Sequence, residues 1–217
     1  MRHILCYGDS NTWGYTPGTG VRFSPQVRWP GVVRRLLGES WEVLEEGLNG
    51  RTTVYNNPMS DGRDGGAYLL PCLLTHKPLD LVVLMLGTND LRFTDAWGAA
   101  EGAAALVKKI RLYSHLEESS PIFPEGPRIL LISPIRVHPV LREREVIYHW
   151  REYPAKSEAF SQAYAAVARE LGVDFLDAAD HAGPSETDGL HMEAADHAAL
   201  GEAVAGKIRE IFADGLK

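Results

Sequence analysis

The sequence predicts an α/β domain, a flavodoxin-like three-layer α/β/α sandwich around a five-stranded parallel sheet in the order 2-1-3-4-5. Three observations predict it. Short apolar runs recur at His3–Tyr7, Trp41–Glu45, Leu79–Leu86, Arg128–Ser133 and Asp174–Leu176. Apolar residues at helical spacing fall between them. The third run contains Leu81-Val82-Val83-Leu84-Met85-Leu86 without a polar break, the pattern of a strand covered on both faces. Right-handed crossovers then limit the strand orders to a few.

The elements follow in chain order. The first run leads into Gly8-Asp9-Ser10-Asn11, and a long loop, Tyr15–Arg28, comes next. Val32, Leu36 and Leu37 mark a helix before the second run. Tyr68–Leu74 is apolar and holds Cys72. After the third run, Trp97, Ala100, Ala104, Val107 and Ile110 form a helical stripe expected to pack on the core. A second long loop, Pro134–Tyr153, follows the fourth run. Phe160, Ala163, Tyr164, Val167 and Leu171 form the next stripe, and Leu200, Val204, Ile208 and Ile211 the last. Long loops in a compact domain usually shape a site or an interface.

Composition narrows the function classes. The 217 residues are 45% apolar and 24% charged, enough for one buried core spanning 1–217 and short for two. Net charge is -7 and no basic stretch stands out, which argues against a nucleic-acid partner. Cys6 and Cys72 sit in apolar runs and read as small buried hydrophobes, without a disulfide framework or a metal-ligand spacing. No apolar run reaches the length of about 18 residues that spans a bilayer. Met1-Arg2-His3 leads into a strand rather than a signal-peptide core. The expectation is a cytoplasmic protein without membrane contact.

In open α/β sheets, ligands bind beyond the carboxyl ends of the strands. Polar residues collect there: Gly8-Asp9-Ser10-Asn11, Gly47-Leu48-Asn49-Gly50-Arg51, Gly87-Thr88-Asn89-Asp90, and Asp188-Gly189-Leu190-His191. The first three loops are neighbours in the order 2-1-3. The last must cross three strand spacings, roughly 14 Å, and an extended segment of about ten residues reaches roughly 33 Å.

Together these residues could perform acyl transfer. A serine hydroxyl needs a base to become a nucleophile. Histidine is the side chain whose ordinary pKa lies near neutrality, so His191 is the candidate base. Asp188 is the candidate carboxylate that orients it. The Ser10 N–H, the Gly50 N–H and the Asn89 amide are candidate oxyanion donors. Each residue also has an ordinary alternative. Ser10, Asn89, Asp188 and Gly50 all suit turns or caps, and His191 is one of eight histidines. Their coincidence at one end of the sheet favours the joint reading. Trp13, Tyr15 and Phe93 flank these loops and either wall a small apolar acyl pocket or pack the loops.

The four blocks Gly8-Asp9-Ser10, Gly50, Gly87-Thr88-Asn89-Asp90 and Asp188-Gly189-Leu190-His191 resemble those of the SGNH hydrolases, or GDSL esterases, in family order. Glu45-Glu46-Gly47-Leu48, Arg51-Thr52-Thr53, Val27-Arg28-Trp29, Pro78-Leu79-Asp80-Leu81 and Met85–Asp90 are similar to its arylesterase/acyltransferase branch. Asn11 stands where leucine is more usual, and the Pro134–Tyr153 loop departs too. The resemblance implies Ser10 as nucleophile, His191 as base, Asp188 as its partner, and oxyanion donors at Ser10, Gly50 and Asn89. It implies no metal and no organic cofactor. It implies a homo-oligomer (octameric in some members) and acyl transfer to alcohols beside hydrolysis; the expected substrates are small-molecule esters of short acyl chains on aryl or simple alkyl alcohols. A carbohydrate O-deacetylase would use the same chemistry.

A rival of another class is a nucleotide- or flavin-binding module, since a flavodoxin-like sheet can hold phosphate after its first strand. Neither G-x-G-x-x-G at a helix start nor G-x-x-x-x-G-K-[ST] occurs. The G-x-S-x-G elbow also fails, because Gly8-Asp9-Ser10-Asn11-Thr12 lacks the last glycine. In the Pro134–Tyr153 loop, Arg136, His138, Arg142, Arg144, His149 and Arg151 stand among Tyr148, Trp150 and Tyr153. That loop is expected to cover the site or meet a neighbouring subunit.

Overall fold

Alternation along the first strand sets the layers. In the computed structural model, Ile4 and Cys6 point into one apolar cluster and Leu5 and Tyr7 into the other, all four fully buried. Successive strand residues face opposite sides, so a strand that is apolar throughout needs a helical layer on each face. The structure describes residues 1–58, 60–116, 120–143 and 150–213.

The strands are β1 (Arg2–Gly8), β2 (Trp41–Gly47), β3 (Leu81–Met85), β4 (Arg128–Ser133) and β5 (Asp174–Asp177). They form one sheet in the order β2-β1-β3-β4-β5, parallel throughout, as the sequence predicts. The helices are α1 (Ser10–Trp13), α2 (Trp29–Leu37), α3 (Gly65–His76), α4 (Ala96–Tyr113), α5 (Tyr153–Ser157), α6 (Phe160–Leu171) and α7 (Ala194–Ala213). Helices α2 and α7 pack together on the face holding Ile4 and Cys6, and α3, α4 and α6 cover the other. Gly8 pairs with Gly47 and Met85 in register, so the loops after β1, β2 and β3 leave the sheet at one level.

Two expectations are corrected and one unassigned run is placed. β3 is shorter than Leu79–Leu86, because Leu79 N–H bonds Ile122 and Asp80 N–H bonds His3 outside the ladder. The apolar run Tyr68–Leu74 belongs to α3, which the periodicity left unassigned. Asp64 caps it by accepting from Gly66 and Ala67 N–H. Pro71 lies on its exposed side, while Leu69, Cys72 and Leu73 are buried at helical spacing. In α4 the buried stripe is Ala96, Ala99, Ala100, Ala103, Leu106, Val107 and Ile110, so Trp97 faces outward and is 46% exposed.

Candidate active site

The loop after β1 places the serine. Asp9 caps α1 by accepting from Asn11 N–H at 3.0 Å, which makes Ser10 the first helical residue, 8% exposed. Burial pushes the Asp9 carboxyl up to about 6, against the pull of that hydrogen bond and of nearby positive charge.

The loop after β5 places the histidine. Asp188 Oδ1 accepts from the N–H groups of Leu190 and His191, both at 3.0 Å. Its other oxygen, Oδ2, lies 2.8 Å from His191 Nδ1. His191 Nε2 lies 2.9 Å from Ser10 Oγ. Burial works to raise Asp188, but the hydrogen bonds from the His191 ring and from the two amides outweigh it. The carboxyl sits below its ordinary range and stays ionised at neutral pH.

Asn11 ties the two loops together. Its Nδ2 donates to Leu190 O and its Oδ1 accepts from Met192 N–H, each at 3.1 Å. The residue that departs from the resembled pattern therefore holds the serine loop against the histidine loop. Its polar ends at turn-forming positions gave no sign of that 181-residue reach.

Gly50 and Asn89 complete the ring. Gly50 has φ of 77°, in the left-handed region that favours glycine. The following residue, Arg51, is buried under the strand ends, with Nη1 donating to Gly8 O at 2.9 Å and also to Glu46 O. Asn89 Nδ2 donates to Arg51 O at 3.0 Å. An amide nitrogen carries two hydrogens, so this bond orients the group and leaves one donor. Asn89 stands in a 3₁₀ turn, Thr88–Arg92, that opens after Gly87. Gly87 has φ of 140°, and a Cβ there would meet Tyr164 Oη at 2.1 Å. That hydroxyl donates to Leu86 O at 2.6 Å.

Asp90 locks the Asn89 turn to the Gly50 loop. It is fully buried and accepts from Thr53 N–H at 3.1 Å and from Thr53 Oγ1. Burial pushes its carboxyl up to about 7, against the Thr53 hydrogen bonds. Unfolded, it titrates near 3.9. The folded chain therefore holds this proton more tightly, and the stability it contributes is present below about pH 4 and lost as pH rises through about 7. Asp90→Asn is expected to gain melting temperature relative to wild type from about pH 5 to about pH 8. Melting curves of both proteins across that range check it, and a pH-independent difference would show that Asp90 ionises as an ordinary carboxylate.

A pocket of about 190 Å³ opens on Ser10, Gly50, Asn89 and His191. Phe93, Trp150, Tyr153 and Leu190 supply apolar surface, while Asn11, Thr52, Asn57, Thr88 and Arg92 supply polar groups. Phe93 lines the pocket, its ring stacked on Tyr55 at 5.7 Å. Trp13 does not line the pocket; it lies under the Arg22 guanidinium at 5.2 Å. The reason is Gly14, the left-handed C-cap that turns the chain between Trp13 and Tyr15. Tyr15 does not line the pocket either, but stacks on the His191 ring at 4.1 Å. Trp150 and Tyr153 of the long loop reach the pocket. Arg142 instead pairs with Glu158 at 3.7 Å and His138 with Glu186 at 3.9 Å. Arg144, Tyr148 and His149 lie outside the described residues.

Among the described residues, Glu46, Cys72 and His76 have ligand atoms within 4.8 Å of one another. His76 Nε2 is 2.7 Å from Glu46 Oε1, and Arg51 Nη2 is 3.9 Å from Glu46 Oε2. The guanidinium, held over the Tyr7 ring at 4.2 Å, already sets a positive charge beside Glu46 and opposes a metal dication there. Burial pushes the Cys72 thiol up to about 12, which disfavours the thiolate a metal needs. A wider cleft of about 690 Å³ adjoins this cluster, lined by Glu46, Arg51, Asp64 and Tyr68.

A hydroxyl, an imidazole and a carboxylate in hydrogen-bonded series, beside oriented amides at the carboxyl edge of a parallel sheet, define the serine-hydrolase class of site. The chain belongs to the GDSL-like lipase/acylhydrolase family, whose profile matches residues 6–199. Among solved structures it is similar to the native aryl esterase of M. smegmatis, with 34% identity over 97% of this chain and 99% of that one and a TM-score of 0.85. It is also similar to Est24, a carbohydrate acetylesterase from Sinorhizobium meliloti, with 31% identity over 97% of this chain and 100% of that one and a TM-score of 0.85. A carbohydrate acetylesterase family member from the same organism is 35% identical over 97% of this chain and 98% of that one, with a TM-score of 0.86. No protein of curated function matches the chain.

Proposed function

We propose that the protein is a serine esterase that hydrolyses small carboxylic esters through an acyl-Ser10 intermediate. The observation that carries this reading is the unbroken series Ser10 Oγ, His191 Nε2, His191 Nδ1, Asp188 Oδ2, with gaps of 2.9 and 2.8 Å. Ser10 Oγ attacks the ester carbonyl while His191 Nε2 takes its proton. The oxyanion is met by the Ser10 and Gly50 N–H groups and the second Asn89 amide hydrogen. His191 returns the proton to the leaving alcohol, and the acyl group stays on Ser10. Water then attacks with His191 again as base and releases the acid. Asn89→Ala is expected to lower kcat by about 10²–10³, read as p-nitrophenol release from p-nitrophenyl acetate. Full turnover in that variant would remove Asn89 from the oxyanion site.

A pocket of about 190 Å³ suits a short acyl chain. Nitrophenyl esters from acetate to decanoate test this, with the maximum expected at the short end and a maximum at long chains against it. Deacetylation of a sugar is the second reading, favoured by the likeness to carbohydrate acetylesterases and by the polar Asn11, Asn57 and Arg92 at the pocket. Turnover of acetylated sugars without turnover of aryl acetates would select it. Acyl transfer belongs to the same proposal: an alcohol entering in place of water would leave with the acyl group. So does a homo-oligomeric state, supported by the resemblance, and a cytoplasmic location is proposed from the sequence reading alone. Light scattering tests the first, and a monomer would end it. No helix among the described residues is long and apolar enough to cross a membrane.

A further inference from the structure

We infer that Tyr15 is a positioning residue for His191: its ring face holds the imidazole in the plane that meets both Ser10 and Asp188, and stabilises the imidazolium formed in each chemical step. This rests on the esterase reading and adds to it a side chain that does not line the pocket. His191 meets Asp188 Oδ2 at 2.8 Å through Nδ1 and Ser10 Oγ at 2.9 Å through Nε2. Both nitrogens bond within the plane of the ring. Tilting the ring about the line through them changes neither length, and the last torsion of a histidine side chain is intrinsically broad. Tyr15 supplies the missing restraint. Its ring stacks on the His191 ring with centroids 4.1 Å apart and planes 24° from parallel.

Tyr15 is built into the same piece of backbone as the nucleophile. The N–H groups of Gly14 and Tyr15 both donate to Ser10 O, at 2.9 and 3.0 Å. A hairpin fixes the ring from the other side. Tyr15 pairs with Arg22 in an antiparallel bridge, Thr16 N–H donates to Val21 O at 2.9 Å, and Phe23 N–H donates to Gly14 O at 2.8 Å. The hairpin turn passes close to the ring: Gly20 has φ of 74°, and a Cβ there would stand 3.1 Å from Tyr15 Oη. Gly18 lies against Thr187, the residue before Asp188, where a Cβ would meet Thr187 Cγ2 at 2.7 Å. The segment that carries Tyr15 is therefore tied to the serine loop and seated on the histidine loop. An aromatic face carries partial negative charge and attracts a cation lying on it. In the mechanism His191 gains its charge on taking the proton of Ser10, and again on taking that of water. The attraction is thus strongest in the two transition states, where it raises kcat.

The test joins steady-state hydrolysis of p-nitrophenyl acetate to proton NMR of the histidine rings. Wild type, Tyr15→Phe, Tyr15→Leu and Ser10→Ala are assayed together. Tyr15→Leu should lower kcat and kcat/KM together, roughly 10- to 100-fold, with KM little changed. Tyr15→Phe keeps the ring face and should keep most of the wild-type kcat. A residue that only packed the loop would change the melting temperature and leave kcat alone. In the spectra, the His191 ring carbon-bound protons are identified by their loss in His191→Ala. They should lie upfield in wild type and in Tyr15→Phe, shielded by the stacked ring, and move downfield in Tyr15→Leu. A kcat unchanged in Tyr15→Leu, a loss confined to KM, or a loss as large in Tyr15→Phe overturns the inference. Should Tyr15→Leu fail to fold, the spectra of wild type and Tyr15→Phe decide: His191 protons without upfield shift overturn it. The esterase reading fails separately, if Ser10→Ala cleaves the ester as fast as wild type.

Discussion

Ser10→Ala is expected to reduce the hydrolysis of p-nitrophenyl acetate by a factor on the order of 10⁶ in kcat, with the protein still folded. The site predicts so large a loss because Ser10 Oγ is the hydroxyl within 2.9 Å of the His191 ring. His191→Ala should cost about as much, and the double variant little more, since nucleophile and base act as one unit. A small residual rate over buffer would reflect the amide donors at Gly50 and Asn89, which neither substitution touches. Ser10→Ala removes a single, 8%-exposed hydroxyl, so its melting temperature should stay close to that of wild type. The assay is p-nitrophenol release by the three variants side by side with wild type. Activity surviving in Ser10→Ala would place the nucleophile elsewhere.

Asp188→Asn is the second large effect, expected near 10⁴ in kcat, and its cause is a tautomer. Asp188 Oδ1 accepts from two backbone N–H groups, and Oδ2 faces His191 Nδ1. An asparagine must keep its oxygen on the two N–H donors, so its amide nitrogen turns to the ring. The ring then has to accept at Nδ1 and carry its proton on Nε2, where it can no longer take the proton of Ser10. Asp188→Ala loses the orienting bond but imposes no tautomer. The asparagine variant should therefore be no more active than the alanine variant, although it is the closer isostere. Steady-state kinetics of both decide it. An asparagine variant faster than the alanine variant would mean that Asp188 acts by its shape and hydrogen bonding rather than by its charge.

Both predictions depend on how far the sequence and the fold agree. The continuous apolar run of β3 and the apolar first strand required a sheet covered on both faces, and the helical stripes supplied the cover. The parallel order followed, since crossovers of one hand leave few alternatives. Ser10, Asn89, Asp188 and His191 were legible because strand ends in such a sheet are where polar loops must gather, and each stood directly in one. Gly50 was legible as a loop glycine, and its positive φ explains the residue type.

Other features had no local signal. Asn11 reads as a turn residue, and its bonds to Leu190 and Met192 exist only because β5 returns its loop across the sheet. Asp90 looks like an ordinary turn aspartate. Its burial against Thr53 comes from packing of the loops after β2 and β3. Trp13 and Tyr15 are two residues apart, and the left-handed Gly14 sends them to different places, one to Arg22 and one to His191. Trp97 was assigned to the core by spacing alone, and the helix rotated it outward because a stripe of alanines packs closer. By itself the sequence determined the layers, a parallel sheet with few possible strand orders and the residues available for chemistry, since these follow from periodicity, from crossovers of one hand and from the chain's need to bury apolar strands on two faces. Only the tertiary structure decided which side chains meet across that edge, because contacts between loops distant in sequence are set by packing and register, which no local pattern encodes.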